Sequence, residues 1–348
     1  MATIREVSEA AGVSVATVSK VMNNKPGVNP ETIARIREIA RQLNYRPNLN
    51  ARHLKRGSSS TLGVITEDLT VFNAPEIVDG IAATCEERGY HFILGNLRFD
   101  KRYGNGPMDQ KESTRLIQSM VDDMLSKQVD GIIYIGCHSH VMVPFGEGLD
   151  TRFVCAYCIS QDPDIPYVIY DDEKASLEAT ELLIDYGHRK IGLITGPNGS
   201  IHTAKRTRGH QTALFRHGIP YDPRLTLVGD WTRDCGYHLC RELIDQGVTA
   251  IVAQNDLMAM GVLDYCNEQG IEVGKDLALM GFDNREVSSV SRPALSTVAL
   301  PLFEIGCKAA NIMLDMLSGK DLSENPQHMM ECTIIERSST GGMYAGKD

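Results

Sequence analysis

The sequence predicts a small N-terminal all-α domain followed by a large two-lobed α/β domain built on parallel sheets. Three observations predict this. The first 60 residues contain three capped helix starts with apolar residues at helical spacing. From residue 61 onward, short apolar runs alternate with amphipathic helical segments, the signature of βαβ repetition and a sheet covered on both faces. A body of about 280 residues is also large for one open sheet and suits two lobes better.

The elements of residues 1–46 follow in order. Thr3 and Glu6 form a capping-box pattern ahead of Ile4, Val7, Ala10 and Ala11, and Gly12 ends that helix. Ser14 caps a second helix over VATVSKVMN, and Asn29-Pro30 opens a third, a cap followed by proline at the first helical position. Ile33, Ile36, Ala40 and Leu43 mark the buried stripe of the third. Two short helices joined by a glycine turn, with a third behind them, make a helix-turn-helix domain.

Charge agrees with this division. Residues 1–60 carry ten Lys/Arg and four acidic residues, a net of +6, which leaves −16 on the remaining 288. A basic head on an acidic body indicates a nucleic-acid module joined to a domain of another kind. With 42% hydrophobic and 23% charged residues the composition is that of a globular protein. No apolar run approaches the ~18 residues of a membrane span, and the N-terminus is amphipathic rather than a signal peptide. The expected location is the cytoplasm. The nine cysteines are too scattered for a disulfide framework.

On the second helix, Val18, Val21 and Met22 share one side, and Ala16 and Lys20 fall opposite, with Val15 at the edge. The start of such a helix faces base edges in the major groove. Lys20 suits guanine O6/N7, and Val15 and Ala16 suit a thymine methyl. Ser14, Thr17 and Ser19 suit phosphates. Residues 47–60 then read as a short hinge helix ending near Leu54 and a flexible Gly57-Ser58-Ser59-Ser60 joint.

The segments TIREVSEAAGVSVATVSKVMN, LNYRPN and ARHLK resemble the LacI/GalR family of bacterial transcription regulators. The resemblance implies a hinge helix that folds on DNA, pairs with its dimer mate and inserts its leucine into the minor groove. Leu54 occupies that position, and an apolar wedge of this kind unstacks a step and kinks the duplex.

In the body, residues 61–340, the strand-like runs are LGVI (62–65), HFILGN (91–96), DGIIYIG (130–136), FVCAY (153–157), KIGLITG (190–196), AIVAQND (250–256) and LALMGFD (277–283). Helical patterns lie at 75–89, 174–186, 257–270 and 301–318. Ligands of such sheets bind beyond the carboxyl ends of the strands. YDDEKASLEATELLIDYGHRKIGLITGP, KRTRGHQTAL, GDWTRDCGY, AQNDLMAMGVL and ALMGFDN extend the family resemblance through the body. The resemblance implies a periplasmic-binding-protein-like fold whose chain crosses three times between lobes. The expected N-lobe is 61–158 plus 290–320, and the expected C-lobe is 159–289 plus 321–340. Residues 341–348 form a tail without leucine heptads.

The candidate effector contacts lie beyond strand ends. Arg206 offers a bidentate donor fork, Asn255 and Asp283 hydrogen-bond hydroxyl pairs, and Trp231, the single tryptophan, offers a flat face to a sugar ring. The resemblance places all four at effector-contacting positions. For Asn255 and Asp283, turn capping is an equally ordinary role, and Asp256 reads as the cap of a helix starting at Leu257. Phe72 and Asn73 are candidates from the other lobe, where the sequence departs from the family's Asn-Pro-aromatic segment. The polar stretch 98–112 reads as a loop over the cleft rim or an insertion.

Cys155 and Cys158 form a CxxC on an apolar strand without zinc-spaced partners, so they read as two buried thiols. No nucleophile elbow, HExxH, P-loop or dinucleotide fingerprint is present, so no enzyme, cofactor or metal is expected. The leading function is a homodimeric, DNA-binding transcriptional regulator acting on a palindromic operator, gated by a small molecule, preferably a carbohydrate. A solute-binding protein without DNA regulation is the alternative, but it leaves the basic head without a role.

Overall fold

The structure is a computed structural model that describes residues 2–45, 59–103, 110–137, 141–142, 152–320 and 326–341. The chain divides into two compact units, Met1–Ser60 and Thr61–Asp348. Two expectations lie outside the described residues: the hinge helix with Leu54, and residues 342–348 of the tail.

The first unit is three helices around one core. In α1 (Ile4–Ala11), Thr3 and Glu6 form both halves of the capping box, and Gly12 turns the chain at φ 59°. Helix α2 (Val15–Met22) is capped by Ser14, whose hydroxyl accepts from the Thr17 amide, and α3 (Pro30–Gln42) by Asn29, which accepts from Thr32. Val7, Ala11, Val18, Val21, Ile36 and Ala40 are buried together. Leu43 departs from the expected stripe and is 39% exposed. The helix ends at Gln42, so Leu43 sits past its end rather than on its inner face.

The second unit contains two six-stranded sheets. The first is ordered β13-β7-β5-β3-β1-β2, with every pair parallel. Its strands are β1 (Thr61–Thr66), β2 (His91–Asn96), β3 (Gly131–Ile135), β5 (Arg152–Ala156), β7 (Tyr167–Tyr170) and β13 (Gln327–Met330). The second is ordered β14-β12-β11-β10-β8-β9 and is parallel except at β12/β14. Its strands are β8 (Ile191–Thr195), β9 (Thr226–Val228), β10 (Ala250–Ala253), β11 (Ala278–Asp283), β12 (Ser296–Ala299) and β14 (Thr333–Ile335). A two-residue pair, β4 (Val141–Met142) with β6 (Ile159–Ser160), stands apart.

Helices cover these sheets. On the first lobe α4 (Asn73–Arg88) packs against α12 (Leu302–Leu317), which also covers β3, β5 and β7. On the second, α7 (Asp172–Asp185) packs along α8 (Ile201–Arg216), and α9 (Arg233–Asp245) along α10 (Asp256–Gln269). The short α11 (Glu286–Val290) follows β11.

The chain passes between lobes three times, at 170–172, 299–302 and 330–333. These points correct the expected lobe limits. Strand β7 stays in the first sheet beyond residue 158, β12 belongs to the second although it falls within 290–320, and β13 belongs to the first although it falls within 321–340. All three are four-residue strands whose places follow from pairing with distant partners, which local periodicity does not encode. The first and third crossovers are tied: the Asp171 amide donates to the Met330 carbonyl at 3.0 Å, and Lys174 pairs with Glu331 at 2.5 Å.

The polar stretch 98–112 is helical where described, with α5 (Phe99–Tyr103) near its start and α6 (Gln110–Ser126) from residue 110. Phe99 is buried edge-on to Tyr103, and Asp68 accepts from the Asp100 amide at 3.1 Å. The polar composition therefore hides one apolar anchor.

Helices α4 and α12 touch backbone to backbone. A Cβ on Gly80 would stand 2.1 Å from the Phe303 carbonyl oxygen, and one on Gly306 would stand 2.1 Å from that of Ile77. Gly306→Ala is therefore expected to destabilise by about 1–3 kcal/mol through overpacking. Urea unfolding checks this, and a midpoint equal to that of the parent would refute it.

Candidate functional site

The first candidate surface is α2. Ser14 caps its N-terminal turn, and Ala16 and Lys20 lie on the face opposite Val18 and Val21. Val15 is 39% exposed, and Ala16 and Lys20 are exposed too. Val15 thus does not complete the core. Ser14 is exposed and bonds the Thr17 hydroxyl at 2.9 Å. Ser19 accepts from Asn23 Nδ2 through its carbonyl at 2.7 Å, which leaves its hydroxyl hydrogen for an outside acceptor. The face combines an ammonium, two small apolar groups and hydroxyls.

The second lies where the lobes meet, at Arg206. This residue sits on the inner face of α8 and is 2% exposed. Its Nε donates to Asp172 Oδ1 at 2.7 Å, its Nη2 to the Tyr170 hydroxyl at 2.8 Å, and its Nη1 to the Gln254 carbonyl. Asp283 Oδ1 lies 3.7 Å from Nη1. The guanidinium stacks on Phe282, 3.7 Å from the ring centroid, a cation–π contact strengthened by burial.

His202, one turn before Arg206, is brought onto the same Asp172. Its Nδ1 lies 2.8 Å from Asp172 Oδ2 and 3.0 Å from the Tyr170 hydroxyl. The Tyr170 and Tyr157 hydroxyls are 3.3 Å apart. The local cause is the first crossover. Asp171 caps α7 by accepting from the Lys174 amide, so Asp172 becomes the first helical residue and turns fully inward. Burial opposes the ionised form of Asp172, but His202 and Arg206 outweigh it and hold the carboxyl below its usual range. Asp283 has the opposite balance. Burial pushes it up to about 8, against the pull of Arg206. Arg206 is raised despite its own burial, chiefly by Tyr170, Asp172 and Asp283.

The other expected residues fall around this cluster. Trp231 is half-buried at φ 73°, with its six-membered ring laid over Gly196, where an added Cβ would meet it at 2.0 Å. Arg206 Cζ lies 5.9 Å from its centroid, so one face of the indole is already covered by protein. Asn255 is the cap of α10: its Oδ1 accepts from Met258 and its Nδ2 donates to the Trp231 carbonyl. That corrects the capping role expected of Asp256, which is the first residue of the helix. The Asp256 carboxylate instead takes the Thr297 hydroxyl at 2.6 Å and the Arg285 amide at 2.7 Å, and burial pushes it up to about 6. Asp283 and Asn284 hold φ of 109° and 53°, conformations that side chains resist and that concentrate at binding sites.

From the first lobe, Phe72 lies under the guanidinium of Arg285, 4.9 Å from ring centroid to Cζ. Asn73 begins α4, two residues earlier than the sequence pattern places it, and is fully buried. Its Nδ2 donates to the Gly136 carbonyl at 2.9 Å, while its Oδ1 has no partner. Cys155 and Cys158 are both buried thiols.

Arg206, Asp283 and Trp231 are therefore brought together, Asn255 joins them through the Trp231 backbone, while Phe72 meets Arg285 and Asn73 bonds the Gly136 carbonyl. Sequence reasoning missed Tyr157, Tyr170, Asp172, His202, Gln254 and Phe282. The spacing of His202 and Arg206, four residues on one helix, is the signal that could have found His202.

Comparison with known proteins adds the following. Residues 3–48 match the model of bacterial regulatory proteins of the lacI family, and residues 180–340 match that of a periplasmic binding protein-like domain. The HTH-type transcriptional repressor CytR of Escherichia coli (strain K12) is 32% identical over 346 residues, covering 97% of this chain and 96% of that one. Among solved structures, the lac repressor dimer bound to operator and the anti-inducer ONPF superposes with a TM-score of 0.78 at 24% identity, over 97% of this chain and 99% of that one. The transcriptional regulator CelR–cellobiose complex superposes with a TM-score of 0.65 at 27% identity, over 97% and 100%.

Proposed function

The chain belongs to the lacI family of bacterial regulatory proteins, and we propose that it is a cytoplasmic, homodimeric transcriptional repressor that reads a palindromic operator and is gated by a carbohydrate effector bound between its lobes. The observation that carries the DNA reading is the capped, exposed start of α2, with Val15, Ala16 and Lys20 free to enter a major groove. Ser14, Thr17 and Ser19 take phosphates, and Leu54 is the minor-groove wedge.

For the effector, support comes from hydroxyl-seeking groups gathered around Arg206, and from a structurally similar transcriptional regulator solved with cellobiose. Arg206, Asp283, Trp231 and Asn255 form one wall of that site, and Phe72 and Asn73 the other. The relatives are regulators rather than enzymes, and this protein acts by binding. Effector and operator shift each other's affinity by the same factor.

Selection of duplexes from a random-sequence pool tests the reading. Enriched duplexes are expected to carry two inverted half-sites. On them Lys20→Ala is expected to cost about tenfold or more in affinity and to relax one base position. Leu54→Ala is expected to weaken binding while the α/β unit keeps its unfolding temperature and its response to sugars. Enrichment of single, unpaired sites would overturn the dimeric operator reading, and unchanged binding by Leu54→Ala would overturn the wedge.

A further inference from the structure

The charge of the Arg206 guanidinium is already taken up inside the cluster. It is flanked by two carboxyl groups, the ionised Asp172 at 2.7 Å and Asp283 at 3.7 Å. Asp172 is 0% exposed, Arg206 2% and Asp283 8%. A guanidinium has five N–H groups. Those of Arg206 face Asp172, the Gln254 carbonyl, Asp283 and the Tyr170 hydroxyl, so no two neighbouring donors stay open as a fork for an incoming anion.

The neighbouring cations add no open positive charge to the cluster. Arg208 points to Glu173 with its side chain 67% exposed. Lys205 lines a surface groove with Glu178 and Arg216. Arg285 lies on the Phe72 ring, and Arg337 bonds Ser288, the Leu295 carbonyl and Asn284. The remaining facing groups are His202 on Asp172 and Asp256, which adds a further negative influence on Asp283.

We infer that Asp172 sets the charge of the effector: it spends the guanidinium of Arg206 inside the protein, so the cleft takes an uncharged hydroxyl compound and rejects a phosphorylated or carboxylated one. This rests on the cleft being the effector site. A phosphate entering here would put further buried negative charge against a cation already paired, and such charge is expensive to desolvate. Uncharged hydroxyls need only single donors and acceptors, which the Arg206 N–H beyond Tyr170, the Asp283 carboxyl and the tyrosine hydroxyls supply.

The test is thermal unfolding of the full chain with matched pairs, glucose against glucose 6-phosphate and ribose against ribose 5-phosphate, and with inorganic phosphate alone. It is run on the parent, on Asp172→Asn and on Asp172→Ser, with circular dichroism confirming that each variant folds. The expected result is protection of the parent by uncharged compounds only. The variants should gain about tenfold or more in affinity for inorganic phosphate as the guanidinium is released. Protection of the parent by any phosphorylated compound overturns the inference. If no compound protects the parent, the effector reading loses its support. The inference then stands only if inorganic phosphate protects a folded variant and not the parent, and it falls otherwise.

Discussion

Replacing Arg206 by methionine is expected to lower the stability of the α/β unit by about 3–5 kcal/mol, the usual cost of leaving one half of a buried ion pair behind. The stranded group is Asp172, which is fully buried and would keep only His202 as a partner. Methionine fills much of the same volume and keeps contact with Phe282, so most of the loss is electrostatic rather than a cavity. The burial of both partners means that solvent screening gives little relief. Urea unfolding measures the effect, and an unchanged slope would confirm that the folded state carries it. Adding Asp172→Asn to Arg206→Met should recover a large part, because the unpaired charge is then gone. A loss below about 1 kcal/mol would mean that the ion pair contributes no more than an exposed one.

The pH dependence of stability is expected to turn on Asp283. In the folded protein its carboxyl holds its proton up to about 8, whereas in the unfolded chain it ionises near the ordinary value of about 3.9. Between those values the folded state binds more protons. The contribution is therefore complete below the unfolded value and is lost as pH rises through the folded one. Asp256, pushed up to about 6, acts in the same direction over a narrower range. Asp172, held low by its partners, acts oppositely, and its contribution is lost as pH falls. Asp283→Asn should thus flatten the decline between pH 5 and pH 8, so that the variant gains on the parent as pH rises. Parallel curves for the two proteins would refute the buried, protonated carboxyl.

Much of this was legible in sequence because the deciding interactions are local. The Thr3–Glu6 capping box, Ser14 and Asn29 each act within three residues, and they define the three head helices. Strand β2 was read to both ends because its run is bounded by a turn and by polar residues. The lobe limits were not legible, since β7, β12 and β13 owe their sheets to partners far along the chain. The site divides in the same way. Asp283 stood out as a charged group closing an apolar run, and Arg206 through the family resemblance. Asp172, 34 positions from the guanidinium it neutralises, reads locally as an ordinary first-turn acid. Asn255 shows the reverse, since the local capping role, equally ordinary in sequence, is the one its side chain performs.

The tie between the first and third crossovers has a mechanical consequence. Because the Asp171 amide holds the Met330 carbonyl, and Lys174 holds Glu331 beside it, these two connections twist as one ribbon. Three independent strings would let the lobes slide, tilt and rotate. Paired in this way, two of the three connections resist sliding past one another, and a rotation of the lobes has to carry both together.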